Sequence, residues 1–306
     1  MEKIIIHEVG MRDGLQAEKE VVPIEQKINW IKELAETGVD IIQAGSFVNP
    51  KKMPQMADTD ELFNYFSIQE NKLHNVTLSG LVLNEKGLER GMHCGVELFC
   101  MGVSASETHS QKNTGMTILQ ATDRIIAMAK SAMASDKNVQ ISVQSAFGCG
   151  YEGKISEEKV LSLVSKFLDN GISNISLADT AGHAVPDQIE RLFTAIFNLD
   201  PTVECICHLH NTYGLGLANA YAAYRVGVRS FESSIAGLGG CPFTAVAAGN
   251  VTTEDLVHMF QKMNLRNDIQ LDKLIAIAKE AAEYFKRELP GVIYKTGKIP
   301  DIARHN

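Results

Sequence analysis

Apolar and β-branched residues recur along the chain in eight short runs: Ile4–Glu8, Asp40–Ala44, Val76–Leu83, Gly95–Met101, Val139–Ala146, Asn174–Ala178, Glu204–His210 and Ser230–Ser234. Several are almost continuously hydrophobic, which suits strands buried on both faces. Between them the period changes to that of an amphipathic helix. Ile24–Thr37 places Ile28, Ile31, Leu34 and Ala35 on one face, and Glu157–Asn170 does the same with Val160, Leu163, Val164 and Phe167 before Gly171 stops it. A further helix begins after Gly214, over Leu215–Val226. Strand and helix alternating eight times predict an α/β fold, a (β/α)8 TIM barrel over about residues 4–265 of a single 306-residue domain. The alternative is an open doubly wound sheet, disfavoured because no Gly-x-Gly-x-x-Gly follows the first strand.

Two segments depart from a plain barrel. His109–Gly115 reads as a polar loop after the fourth strand, long enough to serve as a lid or substrate wall. Asp272–Leu289 reads as an additional C-terminal helix, with Leu274, Ile275, Ile277, Ala278, Ala281, Ala282 and Phe285 on its packed face. The tail Gly297–Asn306 is expected to be weakly ordered.

The barrel makes a prediction about chemistry, because sites of this fold lie where strands end and loops begin. Three segments meet there. In Cys207-His208-Leu209-His210-Asn211, the i, i+2 spacing in a strand aims His208 and His210 to the same side, as two imidazoles suited to a metal. In Val9-Gly-Met-Arg12-Asp13-Gly14, an arginine and an aspartate follow the first strand. After the eighth strand, Gly237, Gly239 and Gly240 strip three side chains from the backbone before Cys241, and Pro242 fixes φ after it. Closure of a barrel makes strands seven, eight and one neighbours, so residues some 240 apart in sequence share one sector. Asp179, at the end of strand six, is a further candidate to orient a ligand or Arg12.

Arg-Asp-Gly-Leu-Gln (12–16), His-x-His (208–210) and Gly-Leu-Gly-Gly-Cys-Pro (237–242), in this order, resemble the 3-hydroxy-3-methylglutaryl-CoA lyase family of metal-dependent TIM-barrel lyases. The likeness runs from about Ile4 to about Leu265 and includes Ser46-Phe47-Val48, Tyr151–Ile155, Ala178-Asp179-Thr180 and Thr253–Leu256. The glycine-rich cysteine loop is specific to the lyase branch; the other motifs are shared more widely. The resemblance implies a metal held by Asp13, His208, His210 and Asn250, of which Asn250 has no independent signal. Two oxygens and two imidazoles without a thiolate suit Mg²⁺ or Mn²⁺, with zinc as the alternative. It further implies catalytic roles for Arg12 and Cys241, with acetyl-CoA and acetoacetate as products, and a contact of Lys19 with the CoA phosphates. Lys112 is a second candidate for those phosphates, and Ser106 and Asn113 are candidates for the acyl pocket. Two positions depart from the family pattern. Gln43 stands where a glutamate is expected, beside Arg12 and the substrate, and Asn211 follows His-x-His where animal enzymes have aspartate.

Composition narrows the rest. Hydrophobic residues are 45% and charged residues 22% of the chain, as in a soluble globular protein. A net charge of −8 argues against nucleic acid as a partner. The six cysteines, at 94, 100, 149, 205, 207 and 241, show no framework spacing and read as reduced thiols, with Cys205 and Cys207 in the core. No apolar run reaches about 18 residues, and Met1-Glu2-Lys3 leads straight into a strand, so a cytoplasmic protein without signal peptide or membrane span is expected. The expected partner is an acyl-CoA substrate, and a homodimer is a plausible assembly. Three functions fit: a lyase for 3-hydroxy-3-methylglutaryl-CoA; a lyase for another 3-hydroxyacyl-CoA such as citramalyl-CoA, or a 2-oxo-acid aldolase; and an inactive metal- or CoA-binding paralogue.

Overall fold

The computed structural model describes residues 3–240 and 249–300. Eight strands, β1 (Ile5–Glu8), β2 (Ile41–Ser46), β3 (Thr77–Leu81), β4 (Leu98–Ser104), β5 (Asn138–Gln144), β6 (Asn174–Asp179), β7 (Glu204–Leu209) and β8 (Ser230–Ser233), close into a barrel in chain order. Every pairing is parallel, and β1 meets β8 with Ile5 opposite Ser230 and Glu8 opposite Ser233. The fold is the expected (β/α)8 barrel. β2 carries a register shift between Gln43 and Gly45, an extra residue that bends the strand where it reaches the site.

The helices are α1 (Ile24–Ala35), α2 (Thr59–Ser67), α3 (Glu85–His93), α4 (Glu107–Thr114), α5 (Ile118–Met133), α6 (Glu157–Leu168), α7 (Pro186–Leu199), α8 (Gly216–Arg225), α9 (Thr253–Lys262), α10 (Leu271–Tyr284) and the single turn α11 (Ile293–Thr296). α6 buries Val160, Leu163, Val164 and Phe167 as its periodicity requires. α1 buries Trp30, Ile31 and Leu34, but also Lys27, whose ammonium bonds Asp58 at 2.7 Å and the Gln55 carbonyl at 2.6 Å. Ile28 and Ala35 are only half-buried. Cys205 and Cys207 are buried, in line with core thiols. No helix among the described residues is long and apolar enough to cross a membrane.

Two sequence expectations are corrected. Most of the His109–Gly115 segment is helical, forming the greater part of α4. The Ser106 hydroxyl accepts from the His109 N–H at 3.1 Å as N-cap, and Gly115 closes the helix in the left-handed region at φ 72°. α4 has no apolar stripe, so periodicity could not reveal it. The C-terminal helix ends at Tyr284 rather than Leu289, because Lys286 turns the backbone to φ 50°. α10 packs on α1, where Tyr284 meets Trp30 edge-on at 5.2 Å and Glu280 accepts from the Trp30 indole N–H at 2.9 Å. In the tail, 301–306 lie outside the described residues.

Past β8 the chain makes a tight turn at Ile235–Gly237, with Ala236 at φ 55°. Two carboxyl groups hold this turn from within. Glu8 accepts from Gly10 N–H at 2.7 Å and Ile235 N–H at 2.9 Å, and Glu254 accepts from Ala236 N–H at 3.0 Å. Burial dominates both acids and pushes Glu8 up to about 7 and Glu254 to about 8. Between the unfolded value near 4.5 and these values, these two acids hold protons in the folded chain that they release in the unfolded one. Their contribution to stability is therefore expected to fall as pH rises from about 4.5 through 8, and Glu254→Gln to remove the Glu254 share of that slope. Urea midpoints across this range check it; an equal slope in wild type and variant would remove Glu254 from the account.

Candidate metal and active site

β1 hands the chain to a π-helical turn, Gly10–Gly14, in which the N–H groups of Arg12, Asp13 and Gly14 all point at the Val9 carbonyl. Gly14 is needed because a Cβ there would sit 2.8 Å from the Leu238 side chain. The turn swings Arg12 and Asp13 over the barrel mouth. Arg12 Nη1 donates to Asp13 Oδ1 and its Nε to Gln43 Oε1, so the guanidinium is held between a charged and a neutral acceptor.

His208 and His210 sit at the end of β7, with their Nε2 atoms 3.3 Å apart. His210 Nε2 lies 3.9 Å from Asp13 Oδ2. One nitrogen from each imidazole and one Asp13 oxygen fall within 4.8 Å of one another, the dimension of a divalent-cation site. Asn250 reaches this group through backbone pairing. It forms an isolated β-bridge with His210, flanked by Asn211 N–H to Gly249 O at 2.9 Å and Val251 N–H to Leu209 O at 3.0 Å. Its amide donates to Asp13 Oδ2 at 2.9 Å and to Leu238 O at 3.2 Å, while its carbonyl oxygen Oδ1 is buried with no partner among the described residues. Gly239, at φ 120°, leaves room for that amide: a Cβ would come within 2.7 Å of Asn250 Nδ2. A free amide oxygen, a carboxylate and two converging imidazoles fit a divalent cation.

The electrostatics agree for Asp13 and His210. Burial works against the Asp13 carboxylate, but Arg12 and the two histidines hold its pKa far below the ordinary carboxylate range. Burial also works against the His208 imidazolium, yet Glu232 outweighs it and raises the pKa. His210 is lowered to about 4 by burial and by the charge of His208, and is neutral as a ligand requires.

Beneath the histidines lies a second tier that sequence reasoning missed. Glu232 on β8 is in register with His208, and its Oε2 lies 2.7 Å from His208 Nδ1. Its Oε1 accepts from Gln140 Nε2 and faces His7 Nδ1 at 3.5 Å, and His7 Nε2 is 2.8 Å from Ser79 Oγ. Burial lowers His7 to about 4, so it is neutral. For Glu232 burial is outweighed mainly by His208, and the acid is held at about 2. A charged residue on a strand that barrel closure buries was the available signal.

A cavity of about 910 Å³ opens above these residues, lined among others by Arg12, Asp13, Gln43, Asn113, His208 and His210. Other candidates lie elsewhere. Asp179 spends its oxygens on the His183 and Ala184 N–H groups, at 2.8 and 3.1 Å, anchoring the loop before α7; burial lifts it to about 6. Ser106 caps α4 and accepts from the Cys149 thiol at 3.1 Å. The Lys112 ammonium sits 3.8 Å from the centre of the Tyr151 ring. Lys19 lines a neighbouring cleft of about 760 Å³ with Gly239, Gly240 and Arg287. Cys241 lies outside the described residues, and Gly240 before it lines both cavities.

A family model described as HMGL-like matches residues 3–280. A hydroxymethylglutaryl-CoA lyase of Bacillus subtilis is 36% identical over 288 residues, 94% of this chain and 95% of that protein. An (R)-citramalyl-CoA lyase of Chloroflexus aurantiacus is 35% identical over 307 residues, 98% of this chain and 96% of that protein. A solved HMG-CoA lyase of Acinetobacter baumannii, in complex with coenzyme A and 3-methylmalate, superposes with a TM-score of 0.90 at 38% identity, covering 98% of this chain and 97% of that one. A converging divalent-cation site at the mouth of a closed barrel, and relatives of this likeness over nearly the full chain, lead to one conclusion: the chain belongs to the HMGL-like family, as a carbon–carbon lyase of its hydroxymethylglutaryl-CoA lyase group.

Proposed function

We propose that this protein cleaves 3-hydroxy-3-methylglutaryl-CoA to acetyl-CoA and acetoacetate, with Mg²⁺ or Mn²⁺ held by Asp13, His208, His210 and Asn250. The observation that carries the reading is the convergence of Asp13, His208 and His210 with Arg12 one residue from a ligand. A bound divalent ion would supply Lewis-acid polarisation and lower the pKa of the substrate 3-hydroxyl. The hydroxyl proton passes to water in the open cavity, C3 becomes a carbonyl and the C2–C3 bond breaks, leaving its electron pair on C2 as the enolate of acetyl-CoA. Arg12 offers a fixed guanidinium to that developing oxyanion. Cys241, as a thiol, delivers the proton to C2. Asn113 borders the acyl end of the cavity. Lys19, at the neighbouring cleft, and Lys112 are assigned to the CoA phosphates. Ser106 and Asp179 act through the loops they cap, Asp179 by keeping the β6–α7 loop in place beside His208.

A second reading has support of its own. The citramalyl-CoA lyase of Chloroflexus aurantiacus is as similar as the hydroxymethylglutaryl-CoA lyases, and Gln43 gives Arg12 a neutral partner. Comparing kcat/KM for 3-hydroxy-3-methylglutaryl-CoA and citramalyl-CoA separates the two readings; preference for citramalyl-CoA would overturn the first. Gln43→Glu sharpens the comparison. A carboxylate would hold Arg12 by a charge-assisted bond, so kcat on 3-hydroxy-3-methylglutaryl-CoA is expected to rise. Loss of turnover on the preferred thioester would instead mark Gln43 as the residue that sets the substrate.

A further inference from the structure

We propose that Glu232 is a positioning residue of the metal centre, a buried carboxylate that fixes the ring of His208 so that Nε2 faces the cation. The inference rests on the metal site proposed above and extends it to a residue outside the four proposed ligands. Three observations carry it. Glu232 and His208 are register partners on adjacent strands, so backbone pairing sets their separation, and Glu232 Oε2 sits 2.7 Å from His208 Nδ1. Its other oxygen is fixed independently, by a hydrogen bond from Gln140 on β5, and His7 of β1, whose far nitrogen is tied to Ser79 on β3, faces it at 3.5 Å without bonding it. The carboxylate is therefore braced from strands around the barrel before any ligand arrives. Finally, it is only 6% exposed although it borders the cavity, so its charge is less screened than that of a surface carboxylate.

The consequence follows from the chemistry of imidazole. A carboxylate this close to Nδ1 favours a proton there, which leaves the Nε2 lone pair for the cation and makes it more basic. Among the described residues His210 has no carboxylate of this kind and is served by the Thr180 backbone instead. Of the two imidazoles, His208 is thus the one oriented by a buried charge.

The test uses the full-length protein and Mn²⁺ alone, without thioester. Glu232→Gln keeps the side-chain volume and removes the charge; its Mn²⁺ dissociation constant is expected to rise about 10–100-fold, and Glu232→Asp to recover part of the loss. In substrate kinetics the deficit should shrink as Mn²⁺ is raised, with KM for the thioester little changed. A folded Glu232→Gln protein that binds Mn²⁺ as tightly as wild type would overturn the inference while leaving the metal site standing. Wild type that binds no Mn²⁺ would overturn both. Should Glu232→Gln not fold, histidine ¹⁵N spectra of the Mg²⁺-loaded wild type decide, with His208 assigned by comparison with His208→Gln. A proton on Nδ1 supports the inference, and a bare Nδ1 overturns it.

Discussion

Arg12→Gln is expected to lower kcat by roughly 10²-fold or more, the usual scale for one transition-state donor, with KM for the thioester changed far less. The guanidinium is braced before substrate arrives: Nη1 is taken by Asp13 and Nε by Gln43, and neither bond uses Nη2. A charge held this way stabilises an oxyanion without reorganising at the moment of reaction. Glutamine keeps a donor but loses the charge and the fork. Because Arg12 is not a ligand, Mn²⁺ should still bind the variant. Steady-state kinetics at saturating metal make the check, and a kcat within threefold of wild type would leave Arg12 without a catalytic assignment.

His208→Ala should be the more damaging change, for two reasons that act together. It removes one of the two imidazoles facing Asp13, so Mn²⁺ affinity should fall at least to the level where calorimetry detects no binding at micromolar concentrations. In the metal-free protein it also strips Glu232 of its nearest partner, the imidazole whose pKa that carboxylate raises, and leaves it buried among His7 and Gln140. Removing one side of a buried ion pair costs about 3–5 kcal/mol, so the variant should also unfold at lower temperature. His210→Ala separates the two effects, since His210 is a candidate ligand with no carboxylate behind it among the described residues. It should lose metal with a smaller loss of stability. Equal melting temperatures for the two variants would contradict the role given to Glu232.

These predictions rest on features that differed in how visible they were in the chain. The eight strands were legible because a parallel barrel buries both faces, and runs such as Ile4–Ile6 stay apolar throughout. α4 was not, since it is made by its caps, Ser106 and Gly115, rather than by an apolar stripe. The end of α10 was misplaced because Phe285 and Leu289 continue its apolar pattern beyond the point where the backbone turns away. In the site, His208 and His210 declared themselves by i, i+2 spacing. Asn250 could come only from resemblance, because a β-bridge to a residue 40 positions earlier delivers it. Glu232 was open to detection as a charge in a buried strand and was passed over in favour of the glycines that follow it. Cys241 lies outside the described residues, and its role stays with the chemistry proposed for it.

The central claim is that the cluster of Asp13, His208, His210 and Asn250 holds the cation on which thioester cleavage depends. It is tested most directly by stripping the protein with EDTA, verifying the absence of bound metal, and following acetyl-CoA release from 3-hydroxy-3-methylglutaryl-CoA. No release before metal is added, and turnover restored by Mg²⁺ or Mn²⁺ in wild type but not in His208→Ala, is the predicted result. Full turnover by the verified metal-free protein would contradict it.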